Sequence, residues 1–160
     1  MTSWNDVAAA APVLAARAQA LFDAHRHKTL ATLRRDGSPR ISGIEVTFRD
    51  GEMYVGMMPD SLKARDLLRD PRLAVHSTSD DPDDEDPGAW PGDAKAAGRA
   101  VEVTDEAVLA TFSEDTPPGP FHLFRIDLTE LVVTKVGEPA DHLTIDVWTA
   151  TEGLRQIKRK

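Results

Sequence analysis

Two Asp-Gly turns do most to limit the folds open to this chain. Asp36-Gly37 runs on into Ser38-Pro39, and Asp50-Gly51 follows Arg49. Glycine reaches the positive φ that tight turns need, and proline withdraws a backbone donor. The turns therefore cut the chain into strand-length runs at Thr29–Leu33, Ile41–Phe48 and Met53–Met57. In the second run Ser42, Ile44, Val46 and Phe48 fall on one side, and Ile41, Gly43, Glu45 and Thr47 on the other. Both sides mix apolar and polar residues, which predicts one core face and one ligand or subunit face.

The next segment predicts a helix over Ser61–Arg69, with Ala64, Leu67 and Leu68 as its buried stripe and Pro71 closing it. Ser61 and Lys63 occupy its first turn. Unpaired N–H groups at a helix start attract anions, and a cation there opposes the helix dipole unless an anion lies between them. Lys63 thus marks a candidate anion site; the alternative is an ordinary exposed helix lysine. Arg65 lies two positions further round and either joins that site, pairs with Asp66 or Asp70, or faces solvent.

Elsewhere, Pro12 and the spacing of Leu14, Ala18, Leu21 and Phe22 predict an amphipathic helix over 12–26. Strands are predicted at Leu73–Ser77, Ala94–Val103 with a bulge at Gly98, Phe121–Leu128, Leu131–Val136 after a Thr129-Glu130 turn, and Leu143–Thr149. A short helix is expected over Asp105–Phe112, and a loop over 113–120. Residues 78–92 hold Asp80, Asp81, Asp83, Asp84, Glu85 and Asp86 with three prolines, which predicts a solvated surface loop. A calcium site is the alternative there, without the glycine and terminal glutamate of an EF-hand loop. Many short strands with a few small helices predict a mainly β, antiparallel barrel.

At 160 residues the chain suits one domain, and 41% hydrophobic and 29% charged residues describe a soluble globular protein. A net charge of −8 argues against nucleic acid as partner. No apolar run approaches the ~20 residues that cross a bilayer, and Met1–Ala16 lacks a basic leader, so a cytoplasmic location is expected. Without cysteine there is no disulfide, thiol nucleophile or Cys-bound metal. His25 and His27 lack zinc-ligand spacing, and no dinucleotide fingerprint, P-loop or nucleophile elbow occurs.

The order D-G-x-P, strand, strand, then S-x-K-x-x-x-L-x-x-D-P-R resembles the pyridoxamine 5′-phosphate oxidase-like split-barrel flavoproteins. It is most similar to the actinobacterial branch that includes binders of the deazaflavin coenzyme F-420. The resemblance covers residues 28–77 well and the rest in outline. It implies an antiparallel split barrel, a homodimer, and a flavin-type cofactor (deazaflavin F-420 or FMN) serving hydride transfer with a small organic substrate. By resemblance Lys63 and Ser61 meet the cofactor phosphate, while Gly56, Met57 and Met58 run beside the ring; barrel core is the other reading of that stretch. Trp148 lies in a region that in dimeric relatives reaches the partner's cofactor, with core or interface packing as its alternative. Ser42 and Thr47 stand where B6 oxidases carry phosphate-holding cations, and Leu62 replaces the arginine of S-R-K. These departures, and the missing C-terminal arginine signature, imply that the chain is not a B6 oxidase and mildly favour the deazaflavin over FMN. The family contains haem binders, so a non-catalytic flavin, haem or tetrapyrrole carrier is the competing class. The resemblance leaves the substrate and any catalytic acid or base unassigned.

Overall fold

The computed structural model describes residues 1–113 and 119–160. The loop expected over 113–120 therefore lies mostly outside the described residues. The strands are β1 (Lys28–Leu33), β2 (Pro39–Ile44), β3 (Val46–Arg49), β4 (Glu52–Met57), β5 (Arg72–His76), β6 (Asp93–Glu102), β7 (His122–Val136), β8 (Leu143–Thr149) and β9 (Gly153–Arg159). All pair antiparallel in one sheet of order β2-β1-β5-β6-β7-β4-β3, with β8 and β9 continuing from β7. The two ends of that order, β2 and β3, are consecutive in the chain and separated only by Glu45. The sheet therefore curls until its ends meet while no β2–β3 ladder closes it, which makes a split barrel.

The turns behave as their residues dictate. Asp50 and Gly51 both take positive φ, 51° and 75°, and Gly37 sits at 82°. The alternation in the second run survives its division into β2 and β3: Ile44 is buried, Val46 and Phe48 pack on the core, and Ile41, Gly43, Glu45 and Thr47 face out. Inside, Leu30, Met53, Val55, Val75, Ile126 and Leu131 form the centre of the core.

Two helices, α1 (Trp4–Ala10) and α2 (Pro12–Asp23), plug this core where a single helix over 12–26 was expected. Ser3 Oγ accepts from the Asp6 N–H at 3.0 Å and the Asp6 carboxylate accepts from the Ser3 N–H at 2.8 Å, a capping box that starts α1. Pro12 then begins α2, and Trp4 packs on Phe48 with ring centroids 4.5 Å apart. The chain leaves α2 early because Lys28 is buried and its ammonium donates to the carbonyls of His25 and Arg26 beyond the helix.

The central strand corrects a second expectation. Phe121–Leu128 and Leu131–Val136 are not separate strands; β7 runs unbroken from His122 to Val136. Its first part pairs with β4, its second with β8, and its other edge with β6 from Phe124 to Thr134. Thr129 is the extra residue of a bulge at Ala97/Gly98, as expected for Gly98, and its hydroxyl donates to the Ala97 carbonyl at 3.2 Å. The tail after Thr149, given no structure from its sequence, is β9, an edge strand whose lysines and arginines discourage further pairing. Helices α3 (Leu62–Arg69) and α4 (Glu106–Ala110) complete the fold. Residues 78–92 carry only a 3-10 turn at Pro87–Ala89. Among the described residues no group of three His, Asp or Glu side chains converges to hold a metal, and no helix is long and apolar enough to cross a membrane.

At Gly98 a Cβ would collide with the Asp127 carbonyl oxygen across the bulge. Gly98→Ala is therefore expected to destabilise the fold by about 1–3 kcal/mol in urea unfolding. An unchanged midpoint would show that β7 does not depend on this close approach.

Candidate functional site

Helix α3 is placed by its own start and by one carboxylate. Asp60 adopts the left-handed region at φ 57°, and Ser61 caps the helix, its Oγ accepting from the Ala64 N–H at 3.3 Å. At the other end Arg72 clasps the C-cap residue Asp70, holding that carboxyl down at about 2. Between them Asp66, only 3% exposed, faces the barrel where Leu68 was expected; Leu68 itself is 50% exposed. Asp66 accepts from Arg40 Nε at 2.6 Å, Arg69 at 3.0 Å and the Thr32 hydroxyl at 2.9 Å. Burial pushes its pKa up, yet the hydrogen bonds from Arg40, Arg69 and Thr32 outweigh that and hold the carboxyl below its usual range. The helix is thus pinned to β1 through Thr32 and to β2 through Arg40.

One turn earlier on α3, Lys63 reaches β2 as well, and its Nζ donates to the Gly43 carbonyl at 2.5 Å. Burial lowers its pKa from the usual lysine value. Around it the outward face is bare. A Cβ at Gly43 or Gly56 would meet nothing within 4 Å, and Ile41 on the same face is 75% exposed. Gly43 pairs with Thr29 and Ile41 with Ala31, so the open face extends across β1 and β2; on β3 and β4 Thr47 pairs with Tyr54, which is buried against Phe112 and bounds the face. This arrangement presents an ammonium, the first-turn N–H groups that the Ser61 cap leaves over, and the open surface at Gly43 and Gly56.

The structure groups some of the sequence-predicted residues and separates others. Ser61, Lys63, Gly56 and Thr47 belong to the outward face or its rim, and Met58 stands beside them 72% exposed. Arg65 is on the solvent side of α3, 3.4 Å from Asp60 rather than near Asp66 or Asp70. Ser42 pairs with fully buried Leu30 and so faces inward, opposite to Thr47. Met57 is turned into the core, and Trp148, 5% exposed, packs there too across from Leu131; its position fits the packing alternative. Sequence reasoning missed Gly43, Asp66, Arg40 and Thr32. The signal for Asp66 was a charge in the apolar row of a short helix, three residues after Lys63.

Residues 14–135 match the family described as pyridoxamine 5′-phosphate oxidase, and the chain belongs to that family. No curated protein matches it. A pyridoxamine 5′-phosphate oxidase-related, FMN-binding protein from Nostoc punctiforme is 16% identical, with 95% of this chain and 96% of that chain covered and a TM-score of 0.61. A haem-binding protein from Mycobacterium smegmatis is 15% identical over 89% of this chain and 86% of that one, TM-score 0.59. An F-420 reductase is 18% identical over 71% and 94%, TM-score 0.51. At such identities the likenesses speak for the fold.

Removing Asp66 would leave Arg40, 20% exposed, without its carboxylate. Asp66→Ala is expected to cost about 3 kcal/mol in urea unfolding at neutral pH. Because the folded pKa is depressed, this contribution is fully present above the unfolded value of about 3.9 and is lost as pH falls through the folded value. Asp66→Asn should therefore show a shallower acid limb than wild type. A change below about 0.5 kcal/mol, the range of ordinary surface substitutions, would mean α3 is held by its apolar contacts alone.

Proposed function

We propose that this protein binds a flavin-type cofactor, the deazaflavin coenzyme F-420 or FMN, on the outward face beside α3, and transfers a hydride to or from a small organic substrate. The observation that carries this reading is Lys63, extended from a capped helix start onto the open surface at Gly43. Membership of the family and the fold shared with an FMN-binding protein and an F-420 reductase support it. When bound, such a cofactor supplies the two-electron chemistry itself. The chain's part is to hold and orient. The first-turn N–H groups of α3 and the Lys63 ammonium would meet an anionic group. Gly43 and Gly56 leave room for a flat body, with Thr47 and Met58 at its border. The charge of an anion would offset the desolvation that now lowers the Lys63 pKa.

The same face supports a homodimer. Ile41 is too exposed for a strand residue of its size, and a second copy laid across this face would cover it. The dimer is expected to bury on the order of 2,000 Å². Light scattering that finds a monomer at micromolar concentration would count against a cofactor held between copies.

A second reading is a haem or tetrapyrrole carrier. His76 pairs with Thr29, which pairs with Gly43, so an imidazole stands in the same cross-strand row as the open surface. It lies 3.3 Å from Asp93.

Lys63→Ala should weaken FMN or deazaflavin binding by about 1–3 kcal/mol, the range for a lost charge-assisted hydrogen bond, with little effect on folding. Added salt should weaken wild-type binding more than that of the variant. With Leu62, Ser42 and Thr47 all neutral, deazaflavin should bind more tightly than FMN in fluorescence titrations. Equal affinity of variant and wild type for both cofactors would remove Lys63 from the site.

A further inference from the structure

A separate cavity of about 370 Å³ opens on the α2 side of the barrel, lined by Arg17 of α2, Trp90 after the 3-10 turn, and Lys135, Gly137 and Glu138 at the β7–β8 connection. Its residues belong neither to α3 nor to the outward face of β2–β4. The chain has 27 Asp and Glu against 19 Lys and Arg, so a cation has carboxylates in excess to choose from. Yet neither Arg17 nor Lys135 makes an ion pair or side-chain hydrogen bond among the described residues, and both are half-buried. Both cations thus reach one cavity without an ion-pair partner, and an acidic side chain, Glu138, shares its lining.

The third wall narrows the ligand. The Trp90 ring N–H donates to Ser79 Oγ at 3.0 Å and to the Asp80 carbonyl at 2.8 Å. That donor is engaged, so the indole offers a fixed aromatic surface and no hydrogen bond. Glu138 brings one negative charge to the same cavity, so the wall sums to a single positive charge. We infer that this cavity binds a small aromatic monocarboxylate, its carboxylate between Arg17 and Lys135 and its ring against Trp90. Guanidinium and ammonium recognise the carboxylate, stacking holds the ring, and Glu138 selects against dianions such as phosphate esters. The volume lies at the lower end of the range for small-molecule sites, which suits a single-ring ligand.

Tryptophan emission reads this site directly. Trp4 and Trp148 are each 5% exposed within the core, while Trp90 is half-buried at the cavity. Titration of the full chain with benzoate should change the emission saturably, and Trp90→Phe should abolish the response. Benzyl alcohol, which lacks the charge, should give no saturable response, and phenyl phosphate should bind more weakly than benzoate. In the Arg17→Gln/Lys135→Gln double variant, with its melting temperature checked, benzoate affinity should fall about tenfold or more. FMN titration of that variant should be unchanged, which separates this cavity from the Lys63 site. Should the double variant not fold, Glu138→Gln at an exposed position decides: phenyl phosphate should then gain on benzoate. No saturable benzoate response, an equal response to benzyl alcohol, undiminished benzoate affinity in a folded double variant, or no gain for phenyl phosphate in Glu138→Gln would each overturn the inference.

Discussion

Strand β7 must serve three neighbours at once, and the barrel depends on how it does so. Over fifteen residues it offers one edge to β6 and divides the other between β4 and β8. A flat strand of that length could not join a curled sheet to a side extension. The Ala97/Gly98 bulge bends the ladder where Gly98 lets the Asp127 carbonyl come close, and twist increases there. From this bend follow the curl of β2-β1-β5-β6-β7-β4-β3 and the meeting of its ends at Glu45.

The meeting of β2 and β3 is also what creates the candidate site. Because no ladder closes the barrel there, a Cβ at Gly43 or Gly56 would meet nothing within 4 Å, while Tyr54, opposite Thr47, is covered by Phe112 and bounds the open surface. Helix α3 arrives directly after β4 and is drawn down on β1 and β2 by Asp66. A buried carboxylate with three donors is an anchor of defined geometry, unlike a contact between apolar side chains. It fixes the helix axis, and Lys63, one turn earlier, is thereby aimed at β2. The chemistry of the candidate site thus rests on a polar contact one turn further along the same side of the helix.

Much of this was legible where local physics decides. The Asp-Gly turns, the alternation of Ile41–Phe48, the Ser61 cap and the Gly98 bulge each follow from the residues at that point. What escaped notice depends on partners distant in sequence. Thr129-Glu130 looks like a turn until Ala97 is placed opposite, when it becomes a bulge in a continuous strand. The tail from Gly153 to Arg159 lacks a clear apolar face and becomes a strand only because β8 offers an edge. Helix α1 hid in an alanine-rich stretch, although Ser3 and Asp6 have the spacing of a capping box. Asp66 could not be told from a solvated charge without knowing that Arg40 lies across from it.

The visible absorption spectrum of the protein, after purification and again after incubation with FMN or deazaflavin and gel filtration, tests the assigned site most directly. Retention of a flavin or deazaflavin band with the protein, reduced in Lys63→Ala at unchanged melting temperature, is the expected result. A Soret band with no retained flavin, or flavin retention indifferent to Lys63, would contradict the assignment; the Soret band would move it to the His76 row.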